Sequence, residues 1–219
     1  MKKIDLKVTL ADGIKFGIKN FPSLIVMIIL YVLTVWIPYL NVGTTIGLYR
    51  AIIDISKGKV INPLSIFNGE NFNQMGEFFL LTGLVNLGKG IAATFMIIPA
   101  IVVGIAWKYA TYILLEYKKT STDAIHLSEK VTYGEKSTIF GIQILYWLVF
   151  GIVGFIFSLI PVVGKFFAVI IFMLGAAVYV AILSVMYRHF GAKVAAELGI
   201  SSEDTAAPAA EKIPAAPAE

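Results

Sequence analysis

The sequence predicts an all-α, polytopic integral membrane protein, with six transmembrane helices arranged as three helical-hairpin repeats and with amphipathic helices at the cytoplasmic interface. The first observation is composition: 58% of the 219 residues are apolar, 15% are charged, and the mean hydropathy is +0.83. A soluble domain of this size has too little interior to hide so much apolar surface, so the excess must face lipid. The second observation is six long apolar runs, and the third is a proline that returns at an almost constant interval.

The six apolar runs are the predicted membrane spans. They cover residues 21–37, 42–55, 78–98, 100–115, 138–160 and 166–187. A helix needs about 20 residues to cross the hydrocarbon core, so the second and fourth runs are short and depend on neighbours or local thinning. Helices are expected because lipid offers no partner to backbone polar groups. The first run follows Asp5 and Asp12 and lacks a small-residue cleavage site after it, so we expect no cleaved signal peptide.

The charges predict which ends of the spans face the cytoplasm. The three tight turns between paired spans, at residues 37–41, 98–100 and 160–165, carry a single charge, Lys165. Most of the other basic residues cluster at the opposite ends, so the positive-inside rule places both termini in the cytoplasm and the protein in the cytoplasmic (inner) membrane of a prokaryote. The net charge of +4 then reflects topology and contact with anionic lipids, so the lipid bilayer is a predicted partner and nucleic acid is not.

Proline marks a predicted threefold repeat. Pro38, Pro99 and Pro161 are 61 and 62 residues apart, and an isoleucine precedes each of them at the end of a long span. Proline lacks a backbone N–H, so it ends one helix and permits the next to start. We expect three units inside a membrane domain of residues 1–192, at about 5–59, 60–120 and 121–190. The alternative is that Ile-Pro pairs are common at helix ends and recur by chance.

An amphipathic element is predicted before each long span. In the first, apolar residues recur three or four positions apart, opposite a face of lysines: Leu6, Leu10, Ile14, Ile18 and Phe21. The second starts at Pro63, a residue suited to the first helical position, and the third, residues 121–131, offers Ser or Thr as its N-cap. Such helices lie in the membrane interface and stabilise hairpins, although they can also bind partners.

The last part of the chain differs from the rest. Residues 193–219 are predicted to be an Ala/Pro-rich, disordered cytoplasmic tail, since residues 201–219 have almost no large apolar side chain with which to form a core. The tail is expected to be solvated, with a tether for a partner as the alternative.

Two stretches resemble a known group of proteins. Residues 49–67 and 112–140 each follow the pattern of a returning span, a small-residue turn, an amphipathic helix and a further span that ends in Ile-Pro. This pattern resembles a family of uncharacterised bacterial and archaeal polytopic membrane proteins, a domain of unknown function related to the membrane domain fused to some glycerophosphodiester phosphodiesterases. The resemblance covers roughly residues 5–190 and implies a six-span module. It transfers no catalytic residue, because the motifs are structural and no phosphodiesterase domain is recognised.

Cations inside the spans are the candidate binding residues. Lys89 lies ten residues before Pro99 and Lys108 nine residues after it, so both are expected near the membrane midplane. A charge at that depth is unfavourable by about 2.5–3.5 kcal/mol and by default indicates a functional site. Together with Asn86 on the same span and with Arg50, closer to the cytoplasm, these lysines predict a site for an anionic substrate or a lipid headgroup.

A structural role for these cations is the alternative to a binding site. No carboxylate is expected at the depth of Lys89 and Lys108, which argues against a simple structural ion pair, but long side chains can snorkel along a span. Arg50 can also snorkel, and it can pair with Asp54 one turn later.

Small residues are dense around Lys89. They include Gly83, Gly88 and Gly90, and they predict close approach of a neighbouring helix. The alternative is a discontinuous helix at residues 88–90.

The sequence also limits the chemistry. It has no cysteine, and His126 and His189 are too far apart to suggest a metal site, so neither metal nor cofactor is expected. No enzyme motif is recognised. The favoured function is a non-enzymatic membrane scaffold or an envelope- or lipid-homeostasis protein. The alternative is a transporter, channel or lipid-handling protein with a basic midplane cavity for an anionic solute or headgroup. Either is compatible with a homo-oligomer or a membrane-protein partner.

Overall fold

A computed structural model of the chain describes residues 6–160 and 163–200. Most of these residues are helical, and none of them is in a strand. The α-helices are α1 (Leu6–Thr34), α2 (Leu40–Ser56), α3 (Met75–Phe95), α4 (Ile97–Ala106), α5 (Ala110–Tyr117), α6 (Ser121–Thr132), α7 (Lys136–Ser158) and α8 (Val163–Glu197). Two 3₁₀ helices, Pro63–Phe67 and Gly69–Gln74, lie between α2 and α3. The predicted all-α fold is confirmed.

Five helical segments are long and apolar enough to cross a membrane. Within the described residues they are Gly17–Thr34, Gly69–Phe95, Ile97–Tyr117, Lys136–Ser158 and Phe166–Glu197. The predicted membrane class is therefore supported. The predicted span at residues 42–55 corresponds to α2, which has 17 residues and is not among the five.

The first amphipathic element is not a separate helix. It runs without a break into the first span, through Pro22, as the single helix α1. Its packing face is made of small residues: a Cβ atom on Gly13 would lie 3.3 Å from Ile182 Cγ1, and one on Gly17 would lie 3.2 Å from Ala181 Cβ. Two glycines one turn apart let α1 approach α8 closely. The predicted apolar residue Ile18 points away from this contact and is 71% exposed.

A short turn that contains Pro38 joins α1 to α2. Tyr39 closes this turn with a positive φ of 71°, and its ring stacks on Phe72 of the second 3₁₀ helix at a centroid distance of 5.0 Å. A side chain at Gly43 would overlap the same Phe72 ring, and one at Gly47 would meet the backbone of Ile66 at 2.6 Å. The two glycines of α2 therefore make room for the segment that follows the helix.

This packing gives the second amphipathic element a contact that the sequence did not predict. Pro63 does occupy the first position of a helical turn, and the Asn62 side chain caps it by accepting a hydrogen bond from the backbone N–H of Leu64 at 3.0 Å. The segment does not stay at the C-terminal end of α2, however, but packs along this helix as far as the α1–α2 turn. Because Phe72 touches Tyr39, this part of the segment and the α1–α2 turn are not on opposite sides of a membrane.

The second hairpin turns earlier than predicted. α3 continues through residues 88–90, so the alternative of a discontinuous helix there is wrong. The chain reverses at Met96, which is extended, with φ −167° and ψ 157°. Pro99 is the third residue of α4. The backbone N–H groups of the first helical turn have no partner within the helix, so proline loses no hydrogen bond at this position.

The returning span of this hairpin is interrupted between α4 and α5. The Ser128 hydroxyl of α6 donates a hydrogen bond to the Ala106 carbonyl at 2.7 Å and accepts one from the Tyr109 N–H at 3.2 Å. The Thr132 hydroxyl also donates to the Ala106 carbonyl, at 3.3 Å. Helix α6 thus supplies the partners that these backbone groups would otherwise find within one continuous helix. Its N-cap is Thr120, one residue before the predicted range.

The third hairpin consists of α7 and α8. Pro161 lies outside the described residues. α8 extends past the predicted domain boundary at residue 192, because Val194 is buried and Lys193 pairs with the buried Glu135. The predicted tail therefore begins later than residue 193, and residues 201–219 are outside the described part of the chain.

Aromatic rings pack together where α5 and the turn before it meet α8. The rings of Tyr109 and Phe190 are 4.6 Å apart, and those of Tyr112 and Tyr187 are 4.8 Å apart. By contrast, α3, α4 and α7 expose many large apolar side chains, as expected of surfaces that face lipid.

Candidate functional site

A polar cavity of about 480 Å³ lies at the centre of the helices. Its volume is in the range of ligand sites. Its polar lining residues are Tyr31, Thr45, Tyr49, Thr82, Asn86, Lys89, Lys108, Thr111, Tyr112, Gln143 and Tyr179. The remaining lining residues are Leu48, Ile52, Val85, Gly104, Trp107, Val180 and Leu183.

Lys89 reaches the cavity from the middle of α3. It is half-buried, and a Cβ atom on Gly104 of α4 would lie 3.4 Å from Lys89 Cε. The absence of a side chain at Gly104 therefore leaves room for the lysine stem. One residue earlier, Gly88 lies directly under the ring of Trp107, which a side chain at this position would overlap. These two glycines bring α3 and α4 together at the level of Lys89.

Lys108 enters the same cavity because the helix is interrupted. It lies in the turn between α4 and α5, and its ammonium group donates a hydrogen bond to the Tyr179 hydroxyl at 3.4 Å. The same nitrogen is 5.6 Å from the centroid of the Tyr179 ring. A phenol and its ring are weak partners for a cation compared with a carboxylate.

The charge of the cavity is positive and uncompensated by neighbouring acids. Neither Lys89 nor Lys108 forms an ion pair within the described residues, and their shared cavity has no Asp or Glu among the lining residues that the structure describes. Two ammonium groups in a partly desolvated cavity repel one another and attract an anion.

Hydroxyl groups complete the polar surface. Tyr31, Tyr49, Tyr112 and Tyr179 all line the cavity, and the Thr45 hydroxyl lies 3.4 Å from that of Tyr31. None of these residues was predicted from the sequence to belong to a site. The sequence feature that could have indicated them is the presence of tyrosine well inside apolar runs, since tyrosine in membrane proteins normally prefers the interface.

Three of the four predicted binding residues meet in the cavity, and the fourth does not. Asn86 lies among the lining residues with the two lysines. Arg50 faces the other way: its guanidinium donates a hydrogen bond to Gln74 Oε1 at 3.2 Å and lies 3.8 Å from a carboxylate oxygen of Glu70. The predicted pairing of Arg50 with Asp54 is also wrong.

Asp54 instead pairs with Lys59 at 3.1 Å. Arg50 lies on the face of α2 covered by the second 3₁₀ helix, which reaches this level because the segment packs along α2. The partner of Arg50 is therefore determined by the packing of the second 3₁₀ helix on α2, and not by the spacing of four residues between Arg50 and Asp54.

The cavity continues sideways between two helices. A second cavity of about 630 Å³, the α4–α7 groove, shares Lys89, Gly104 and Gln143 with the polar cavity. Its other lining residues are apolar and come from α4 and α7: Ile101, Ile105, Phe140, Ile144, Trp147 and Leu148. Lys89 thus stands at the junction of a polar space and an apolar one.

The two histidines lie away from this site. His126 is exposed on α6, and His189 Nε2 is 3.2 Å from a carboxylate oxygen of Glu135. Across the described ranges, no group of three His, Asp or Glu side chains is placed to hold a metal ion.

The cavity can bind an anion through two ammonium groups and several hydroxyl and amide groups. No protein-family model, curated protein or solved structure matches the chain, so the family resemblance stays a prediction.

Proposed function

We propose that the protein binds an anionic group inside the membrane, in the polar cavity, as part of a transporter, channel or lipid-handling function. The observation that carries this proposal is that Lys89 and Lys108 line one cavity without an acidic neighbour among the described lining residues. Unpaired charge is unfavourable in such a place unless a ligand or water compensates it. An anion with several oxygens, such as phosphate, can accept hydrogen bonds from both ammonium groups and from the surrounding hydroxyls.

The protein is proposed to act by binding and not by catalysis. The described lining of the cavity offers lysine, tyrosine, threonine and amide side chains. This set suits recognition of an oxyanion, whereas an enzyme would need an acid, a base and a nucleophile arranged around a reacting atom. A scaffold or an envelope- or lipid-homeostasis role is compatible with the same site if the anion is a structural lipid.

The membrane setting of this proposal is a six-span protein in the cytoplasmic membrane of a prokaryote, with both termini in the cytoplasm. Helix α2 is the proposed sixth span: its 17 residues extend about 26 Å at 1.5 Å per residue, slightly less than a hydrocarbon core. Since Phe72 stacks on Tyr39, this arrangement requires the segment between α2 and α3 to re-enter along α2, and it requires α3, which begins three residues after Phe72, to start within the membrane. Irregular backbone is tolerated at such a depth where protein covers it or where it lines water. Glu70 and Asn73 of the segment are exposed, so this face of the segment must line water.

The threefold repeat fits the same proposal. Tyr31 and Thr45 come from the first proposed unit, Lys89 and Lys108 from the second, and Tyr179 from the third, and all of them line the cavity. Sites at the junction of structural repeats are common in transporters. This placement is what three hairpins arranged around one central site would give.

Binding of inorganic phosphate to the full chain tests the proposed function. The protein is reconstituted in nanodiscs of neutral phosphatidylcholine, and binding of radiolabelled phosphate is measured for the wild type, Lys89→Gln and Lys108→Gln. We expect each variant to bind roughly tenfold more weakly, as loss of one charge-assisted contact implies. Lys19→Gln, which removes an exposed lysine of α1, is the matched control. Equal binding by all four proteins, or none by the wild type, contradicts the proposal.

A further inference from the structure

The position of Lys89 carries information about the shape of the ligand. It is the lysine shared by the polar cavity and the α4–α7 groove. Beyond it the groove is lined by apolar side chains, and three of these, Ile144, Trp147 and Leu148 of α7, are 46%, 63% and 53% exposed. Both α4 and α7 belong to segments that are long and apolar enough to cross a membrane. The groove therefore connects the lipid phase with the polar cavity.

We infer that the ligand is an anionic lipid, with its phosphate at Lys89 and Lys108 and a hydrocarbon chain in the α4–α7 groove. This inference rests on the proposed function, since it takes the anion site as given. A molecule with a charged end and an apolar end matches the two spaces that meet at Lys89. A water-soluble anion would occupy the polar cavity and leave the apolar groove without a partner.

The charge at the junction supports this choice. An ammonium group at the edge of lipid is unfavourable, and a lipid phosphate arriving through the groove would neutralise it there. Gly104 lies at the same junction on α4, and its lack of a side chain keeps the passage between the two spaces open.

A second apolar cleft provides the competing site for the chain. It lies between α7 and α8, has a volume of about 380 Å³, and is lined in part by Gly151, Gly154 and Gly175. Among its described lining residues, it shares Tyr179 with the polar cavity and Trp147 with the α4–α7 groove, and neither lysine is present. A chain in this cleft would not place its phosphate beside Lys89, so the α4–α7 groove is the proposed site.

Quenching of Trp147 fluorescence by brominated lipids tests the inference, because this residue lines the groove. Trp147 also lines the cleft between α7 and α8, so variants are needed to tell the two sites apart. The other two tryptophans, Trp36 and Trp107, are replaced by Phe in the full chain. Because Trp107 lines the polar cavity, the background is first checked by circular dichroism for folding and by the phosphate assay for an intact anion site. Nanodiscs of phosphatidylcholine contain a minor fraction of brominated phosphatidic acid or, in the matched sample, of brominated phosphatidylcholine. We expect a preference of roughly tenfold for the anionic lipid, corresponding to one charge-assisted contact.

Four variants in this background locate the bound lipid. Lys89→Gln should remove the preference, and Ile144→Phe should reduce it severalfold by filling the groove. Ile152→Phe is the control for the second change, since Ile152 is on the same helix, is 52% exposed and lies outside the three cavities described above. Gly154→Leu fills the cleft between α7 and α8. The fold should accept this change, because a Cβ atom there meets nothing within 4 Å. The preference should be unchanged, because the proposed chain lies in the α4–α7 groove.

Each outcome decides a different point. If phosphate binds in a Lys89-dependent way but phosphatidic acid is not preferred, the ligand is a soluble anion; the inference is then wrong and the proposed function stands. If neither binds, both are wrong. A lipid preference that survives Lys89→Gln reflects general attraction of anionic lipid and overturns the inference. A preference lost in Gly154→Leu but kept in Ile144→Phe places the chain between α7 and α8, which also overturns it.

Discussion

The hydroxyl of Ser128 accepts a hydrogen bond from the backbone N–H of Tyr109 at 3.2 Å, and the same hydroxyl donates to the Ala106 carbonyl at 2.7 Å. One side chain of α6 therefore satisfies the backbone on both sides of the α4–α5 interruption. Ser128 is fully buried, so water does not replace it. Because Lys108 lies within this interruption, a residue outside the cavity positions one of the two cavity lysines.

Ser128→Ala is expected to destabilise the protein by about 1–3 kcal/mol, the usual effect of leaving buried polar groups without a partner. Phosphate binding should weaken as well, since Lys108 loses its fixed position. Thermal unfolding in nanodiscs and the phosphate assay measure the two effects. Ser137→Ala, an exposed serine near the start of α7, is the control. A Ser128→Ala protein as stable as this control would show that the interruption does not depend on α6.

Gly88→Ala tests the contact between α3 and Trp107. The new methyl group would overlap the Trp107 ring, so we expect lower stability. Trp107→Leu should partly restore it in the double variant, with a coupling energy of about 0.5–3 kcal/mol from the double-mutant cycle. At Gly83, on the same helix, a Cβ atom meets nothing within 4 Å, so Gly83→Ala should be neutral or stabilising. Additive effects of the Gly88 and Trp107 changes would refute the proposed contact.

The side chain of Glu116 on α5 links Lys57, at the end of α2, to Tyr187 on α8. Its carboxylate lies 2.7 Å from Lys57 Nζ and accepts a hydrogen bond from the Tyr187 hydroxyl, and its side chain is 9% exposed. Glu116→Gln keeps a partner for Tyr187 but leaves Lys57 without its countercharge. We expect a loss of about 1–3 kcal/mol, less than for a fully buried pair because Lys57 reaches solvent.

Glu70→Gln is the matched control for this change. Glu70 pairs with Arg50 at 3.8 Å, but its side chain is 71% exposed, so its loss should be within about 1 kcal/mol. Urea or thermal unfolding of both variants measures the difference. Equal stabilities would mean that the Lys57–Glu116 pair contributes no more than a surface pair.

The sequence was sufficient to predict features that depend on local pattern. Apolar runs predicted the helices, and equal spacing from Pro99 placed Lys89 and Lys108 at one level, where they do share a cavity. The interruption beside Lys108 was not predictable in this way, because residues 107–109 contain neither glycine nor proline. It depends on Ser128 and on Thr132, which reach it from another helix.

The packing of the segment between α2 and α3 was not predictable for a similar reason. Its polarity and its basic flank predict a cytoplasmic position, since sequence rules assign whole stretches to one side of the membrane. Its packing along α2 depends on Gly43 and Gly47, which admit Phe72 and Ile66. Glycine in an apolar run signals close packing but does not identify the partner.

Labelling of single cysteines tests where this segment lies. The chain contains no cysteine, so Pro38→Cys and Asn73→Cys can each be made without removing other thiols. Both positions are exposed, and they flank the stacked rings of Tyr39 and Phe72, which are 5.0 Å apart. We therefore expect a membrane-impermeant maleimide to label both cysteines from the same side of intact cells or sealed vesicles.

His126→Cys, on the exposed face of α6, supplies the opposite arm of this experiment. The charge distribution predicts that it is cytoplasmic, and it should react only after the membrane is permeabilised. If Pro38→Cys and Asn73→Cys react from outside and His126→Cys does not, α2 crosses the membrane and the segment re-enters along it, so that α3, which begins at Met75, starts within the membrane and not at its cytoplasmic face. Labelling of Pro38→Cys and Asn73→Cys from opposite sides would contradict the contact between Tyr39 and Phe72. Labelling of all three from the inside would remove α2 from the spans and leave five.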